Sequence, residues 1–238
     1  MAGAIVGSFL ATLIVRWPRG EQVTTGRSEC DSCRRRLRPA ELVPVLSGLA
    51  SGGKCRSCGA PIDPTHMRIE LAAAGLAALA LALHPNAQGA AAAAFWLLLL
   101  APAVLDARHY WLPDALTLAV GTGGLLIGGL ATGVPLTERL IGGAAGLAGL
   151  WLIGEGYRIA RGRHGLGAGD PKLLGAIGLW TGWQALPTIL LLAALAGLAA
   201  AVAQRRSRFD RMPFGTLLVA GAFVWTAVRL SGAVPAGP

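Results

Sequence analysis

Two short stretches place acids where an apolar chain tolerates them least. In "LDARHYWLPD" (105–114), Asp106 closes one hydrophobic run and Asp114 opens the next. In "GLGAGDPKLLGAIGLW" (165–180), Asp170 and Lys172 stand at the head of a third run. A carboxylate at a membrane edge is costly and points to function by default. Asp170 has a structural alternative, as N-cap of a helix that begins at Pro171. Gly167 and Gly169 beside it permit a close backbone approach, which a mere cap does not require. Asp106 falls at the C-terminal end of its run, where the helix dipole opposes a negative charge. Its alternative is an ion pair with Arg108 or His109. Asp114 follows Pro113 in a first helical turn, where a carboxylate is favoured anyway, and is held in reserve. Glu70 and Glu155 read as structural acids paired with nearby basic residues. Two carboxylates that share a site hold a single proton near neutral pH. The charged partner can then take a proton from an attacking water while the neutral one donates to the developing oxyanion. Asp106 and Asp170 are the expected catalytic pair for such chemistry, with Gly167, Gly169 and Lys172 supporting them.

A second cluster carries different chemistry. All four cysteines lie in one polar stretch, as "CDSC" (Cys30, Cys33) and "CRSCG" (Cys55, Cys58), with 21 residues between the pairs. Paired C-x-x-C knuckles offer four thiolates to a tetrahedral zinc ion. Gly59 allows the tight backbone of the second knuckle. Arg34, Arg35, Arg36, Lys54 and Arg56 favour the thiolate form. A reducing cytosol argues against disulfides, and two separate pairs argue against a redox couple. Four thiolates leave no open position for water, so the expected zinc is structural.

The elements that must position these residues follow from composition. The chain is 54% hydrophobic and 14% charged, against about 25% charged in soluble domains. Eight apolar runs, near 2–15, 69–84, 89–105, 114–131, 139–157, 172–185, 187–203 and 214–230, predict an all-α polytopic membrane protein. The pair around Trp183–Pro187 reads as one bent hairpin. The first run lacks a charged n-region and a small-residue cleavage site, so it is expected to be a membrane helix rather than a signal peptide. The organisation predicted is a first transmembrane helix at 1–15, a zinc-binding segment at 16–68 and a transmembrane catalytic domain at 69–238.

Charge sets the orientation. With the zinc segment cytoplasmic, the short cytoplasmic segments 106–113, 158–172 and 204–213 hold nine Lys and Arg, while Arg139 and Arg229 alone fall on the other side. This matches the positive-inside rule and places both termini outward. The net charge of +9 is thus topology rather than a nucleic-acid footprint. It also brings Asp106 and Asp170 to the same cytoplasmic edge. Two other readings use the same residues. A proton- or cation-coupled transporter would employ both acids, although transporter sites lie near the midplane. A zinc-dependent scaffold would leave the acids structural.

Five pieces in chain order resemble the type IV prepilin peptidase family, membrane aspartic peptidases of the GxGD type. They are "GSFLATLIVRWP", the cysteine segment "RSECDSCRRRLRPAELVPVLSGLASGGKCRSCGAPI", "LDARHYWLPD", "GAGDPKLLGAIGLWTG" and "MPFGTLLVAGAF". The resemblance implies Asp106 and Asp170 as catalytic residues in a bacterial cytoplasmic (inner) membrane. It implies cleavage of the basic leader of type IV prepilins or type II secretion pseudopilins at the cytoplasmic face. It also implies N-methylation of the new terminus with S-adenosylmethionine, for which the sequence carries no nucleotide-binding fingerprint of its own. A prepilin inserts with its leader cytoplasmic, so its scissile bond meets the bilayer at the level predicted for the two acids.

Overall fold

The computed structural model of the chain describes residues 1–23, 28–163, 165–204 and 212–232. The regular elements among the described residues are helices: α1 (Ala2–Arg16), the five-residue α2 (Leu46–Ala50), α3 (Thr65–Leu83), α4 (Ala87–His109), α5 (Asp114–Thr132), α6 (Leu136–Arg161), α7 (Gly169–Thr181), α8 (Leu186–Ala203) and α9 (Phe214–Leu230). Eight of them stand on the eight predicted apolar runs, and α2 lies in the polar segment. α3, α4, α5, α6 and the stretch Trp183–Ala203 are long and apolar enough to cross a membrane, and α9 is a shorter apolar helix. The protein is an all-α polytopic membrane protein. Of the residues in the positive-inside count, Arg205, Arg206, Arg208 and Arg211 lie outside the described residues, as does Arg27 of the zinc segment.

Local sequence explains where the helices start. Asn86 caps α4, its side chain accepting the N–H groups of Gln88 (2.9 Å) and Gly89 (3.3 Å), which satisfies donors that no helical carbonyl can reach. Pro113 and Pro135 precede α5 and α6, their fixed φ suiting the entry to a helix. Between α7 and α8 only Gly182 and a short 3-10 turn, Trp183–Ala185, intervene.

The chain divides into two compact units, Met1–Leu79 and Ala80–Pro238. In the first unit α1 and α3 meet through small residues. A Cβ on Gly3 would lie 2.7 Å from Ala77 Cβ, and one on Gly7 equally close to Ala73 Cβ. Such contacts let helix backbones approach where lipid supplies no hydrophobic drive. Glu70, expected to pair with a basic residue, instead accepts the Val45 N–H at 2.7 Å. That backbone donor sits in a loop that periodicity does not describe.

In the second unit α4 is the most buried of the long apolar helices. Phe95 stacks on Trp180 of α7 with centroids 4.5 Å apart, and the Trp180 indole donates to the Val120 carbonyl of α5 at 2.7 Å. Trp96 meets Phe223 of α9 edge-on at 5.8 Å. One aromatic layer therefore ties α4 to α5, α7 and α9, and those are the helices that carry the acids and their partners. α6 packs on α7 through glycines: a Cβ on Gly142 would lie 2.7 Å from the Gly178 carbonyl oxygen. Glu155 on α6 pairs with Arg158 as expected, accepting its Nε at 2.8 Å.

Candidate active site

Asp106 lies in the last turn of α4 and Asp170 in the first turn of α7, and they are 6% and 4% exposed. Tyr110 ends α4 in left-handed backbone, its N–H returning to the Asp106 carbonyl at 2.9 Å. The chain then runs directly to Leu112. A Cβ on Gly169 would lie 2.7 Å from Leu112 Cβ. One on Gly215 would lie 2.8 Å from Leu112 Cδ1 and 3.1 Å from Asp106 Oδ2. Leu112 is thus wedged between the segment bearing Asp170 and the start of α9, and only hydrogen atoms fit at the two glycines. Asp106 and Asp170 thus flank the same leucine, the first through Gly215 and the second through Gly169.

Each acid is anchored through one oxygen. Asp106 Oδ2 accepts the Thr216 N–H at 2.7 Å and lies 3.1 Å from the Thr216 hydroxyl. That hydroxyl also reaches the Ala103 carbonyl at 2.8 Å. Asp170 Oδ2 accepts the Gly167 N–H at 3.0 Å, and the Asp170 N–H returns to the Gly167 carbonyl at 3.2 Å. This corrects the capping alternative for Asp170. α7 begins at Gly169 with Ala168 as its cap, so the carboxylate closes the loop ahead of the helix. Pro171 falls inside the first turn, where a missing N–H costs nothing.

Asp114 and Lys172 form a pair of their own. Lys172 Nζ donates to both oxygens of Asp114, at 2.7 and 2.8 Å, and their side chains are 47% and 73% exposed. The structure therefore brings Asp106, Asp170, Gly167 and Gly169 together, and sets Lys172 on Asp114 at the rim. Thr216, Gly215 and Leu112 are the site residues that sequence reasoning did not single out. The signal for the first two was the "PFGT" tetrapeptide at the head of α9, already quoted as a motif.

In the first unit the four cysteine sulfurs lie within 4.8 Å of one another, and Cys30 Sγ and Cys58 Sγ are 3.9 Å apart. Tetrahedral Zn–S bonds of about 2.3 Å put thiolates about 3.8 Å apart, so this donor set fits zinc. The two knuckles share one backbone plan. Cys30 N–H donates to Arg35 O and Cys55 N–H to Ala60 O. Antiparallel bridges Glu29–Arg36 and Lys54–Pro61 flank them at the same offset. The Arg35 guanidinium forks onto Glu41 at 2.7 and 3.1 Å. The Arg35 fork, helped by the Arg38 N–H, holds the Glu41 carboxyl down at about 2. The pair stays ionised at physiological pH.

Residues 1–84 match the bacterial peptidase A24 N-terminal domain, and residues 92–202 match the type IV leader peptidase family. A prepilin leader peptidase/N-methyltransferase of Burkholderia pseudomallei (strain 1026b) is 45% identical over 201 residues, covering 82% of this chain and 65% of that protein. This chain thus aligns with just under two thirds of the length of that relative. One from Dickeya chrysanthemi is 36% identical over 252 residues, covering 93% of this chain and 89% of its own. One from Klebsiella pneumoniae is 38% identical over 200 residues, covering 81% and 88%. No solved structure matches the chain.

Proposed function

The chain belongs to the type IV leader peptidase family, and from that premise we propose that it is an aspartic endopeptidase of the bacterial inner membrane. Its substrates are type IV prepilins or type II secretion pseudopilins, cut at the cytoplasmic membrane face. The observation that carries this reading is the placement of two buried carboxylates, Asp106 at the end of α4 and Asp170 at the start of α7, on either flank of Leu112. One is ionised and one protonated. The ionised carboxylate removes a proton from water as its oxygen bonds to the scissile carbonyl carbon. The protonated carboxyl gives its proton to the carbonyl oxygen. Collapse of the tetrahedral intermediate breaks the C–N bond, and a proton passes to the leaving amine. Burial strengthens each of these interactions, because little water screens them.

Cys30, Cys33, Cys55 and Cys58 would hold a structural zinc ion that fastens the two knuckles, with all four positions filled by sulfur. The relatives are named for N-methyl transfer as well, and this chain is proposed to methylate the new terminus using S-adenosylmethionine. A cavity of about 580 Å³ within the first unit is lined by residues that include Arg16, Glu41, His66 and Glu70. Its volume is that of a small-molecule site, and its lining carries charges of both signs, Arg16, Arg35 and Arg68 beside Glu41 and Glu70.

The test is co-expression with a prepilin, following the mobility shift on cleavage. Asp106→Asn and Asp170→Asn are expected to abolish processing, and Asp114→Asn to retain it. Processing that survives Asp170→Asn would overturn the aspartic mechanism.

A further inference from the structure

Each acid is tied through Oδ2: Asp106 by Thr216, Asp170 by Gly167. The direct bonds seen to both carboxylates end on Oδ2, and the Gly215 backbone adds a further donor beside Asp106. The ties are not alike. Gly167 offers one backbone N–H, whereas Thr216 offers its N–H and its hydroxyl to the same oxygen. That hydroxyl has one proton and two acceptors within reach, Asp106 Oδ2 at 3.1 Å and the Ala103 carbonyl at 2.8 Å.

We propose that Thr216 is a positioning residue for Asp106, which saturates Oδ2 with donors and so directs the exchanged proton to Oδ1. While Asp106 is charged, the hydroxyl proton turns to Oδ2 and stabilises the anion. When Asp106 takes a proton on Oδ1, the hydroxyl proton turns to the Ala103 carbonyl and remains bonded. No proton leaves Thr216 in either state. The carboxyl can therefore change charge without stranding a buried polar group, which costs most where the dielectric is low. The Thr216 N–H keeps the carboxyl plane fixed throughout. Gly215 allows this geometry, since a side chain there would press on Leu112 and on Asp106 itself.

The inference rests on Asp106 being catalytic, and the experiment separates the two. Thr216→Val keeps the shape and removes the hydroxyl, Thr216→Ala removes both, and Thr216→Ser keeps the hydroxyl. Each is purified in detergent and assayed on a prepilin, with Asp106→Asn alongside. A hydrogen bond to a charged group corresponds to about a 10- to 100-fold effect, so Val and Ala are expected to lose that much in kcat. KM should stay within about twofold, because substrate binding does not use the hydroxyl. Ser is expected to retain kcat within about threefold, a rescue that a purely steric role would not give. Wild-type kcat in either the Val or the Ala variant would overturn the inference, as would a Ser variant that falls as far as Val. Activity in Asp106→Asn would instead remove the catalytic assignment, and the inference with it.

Discussion

Leu112 lies six residues after Asp106 and Lys172 two after Asp170, and they do opposite things. Leu112 is wedged against Gly169 and Gly215, so it sets how closely the two acid-bearing segments meet. Gly169→Ala would drive a methyl to 2.7 Å from Leu112 Cβ. Overpacking of this kind costs about 1–3 kcal/mol, and displacement of Asp170 should lower the processing rate by about tenfold or more. Adding Leu112→Ala should restore part of the rate. A double variant no better than the single would show that the wedge does not set the spacing. Lys172, by contrast, holds an exposed carboxylate, and such pairs are worth about 0–1 kcal/mol. Lys172→Ala should leave both the thermal midpoint and the processing rate close to wild type, and a large loss of rate would place the ammonium in the chemistry. The acids were legible because charge beside an apolar run demands a reason. Thr216 was not, since it lies 110 residues beyond Asp106 and only the packing of α9 on α4 brings it there.

At the scale of elements, the cysteine knuckles are two copies of one turn with different residues at the critical point. Arg34 and Gly59 both follow the second cysteine of a pair, and both adopt left-handed backbone, with φ of 56° and 70°. Sequence alone picked out Gly59, because glycine is the residue that pays nothing for that conformation. Arg34 gave no such signal; its side chain reaches Glu29 at 2.9 Å. A non-glycine residue in this region costs roughly 1–2 kcal/mol. Arg34→Gly should therefore hold zinc at least as well as wild type in competition with a chelator, since the exposed pair it loses is worth about 0–1 kcal/mol. Gly59→Val should release zinc more readily, as a β-branched residue is strained there. The reverse order would mean that charge beside the cysteines, rather than the backbone turn after them, decides how firmly the knuckles hold the metal. The same contrast explains Glu70. Its burial was foreseeable from an apolar run, but its partner is a loop N–H that no periodic pattern announces.

At the scale of the molecule, hydropathy placed the spans and charge predicted that Arg139 and Arg229 alone face the outer side. Within the second unit these two meet at one end of α5. Arg229 Nε donates to the Thr132 carbonyl at 2.7 Å. Arg139, 6% exposed, donates to Val134 O at 3.1 Å, Leu179 O at 3.4 Å and Gly124 O. That end lies the length of α5, about 27 Å, from the end bearing Asp114. What sequence could not reveal is that Arg139 is buried and gathers carbonyls from α5, α7 and the turn between α5 and α6. Topology counts charges; it does not say what they hold. The consequence is a division of labour along the helices, with the proposed chemistry at one end and a clasp at the other. Arg139→Leu would strand at least two buried carbonyls, at about 1–3 kcal/mol each, and should lower the melting temperature by about 5–10 °C. Assayed well below that temperature, its kcat and KM should stay within about twofold of wild type, because the acids keep their anchors at Thr216 and Gly167. A variant that melts like wild type yet processes slowly would show instead that the far end is coupled to catalysis, and that α7 transmits the change to Asp170.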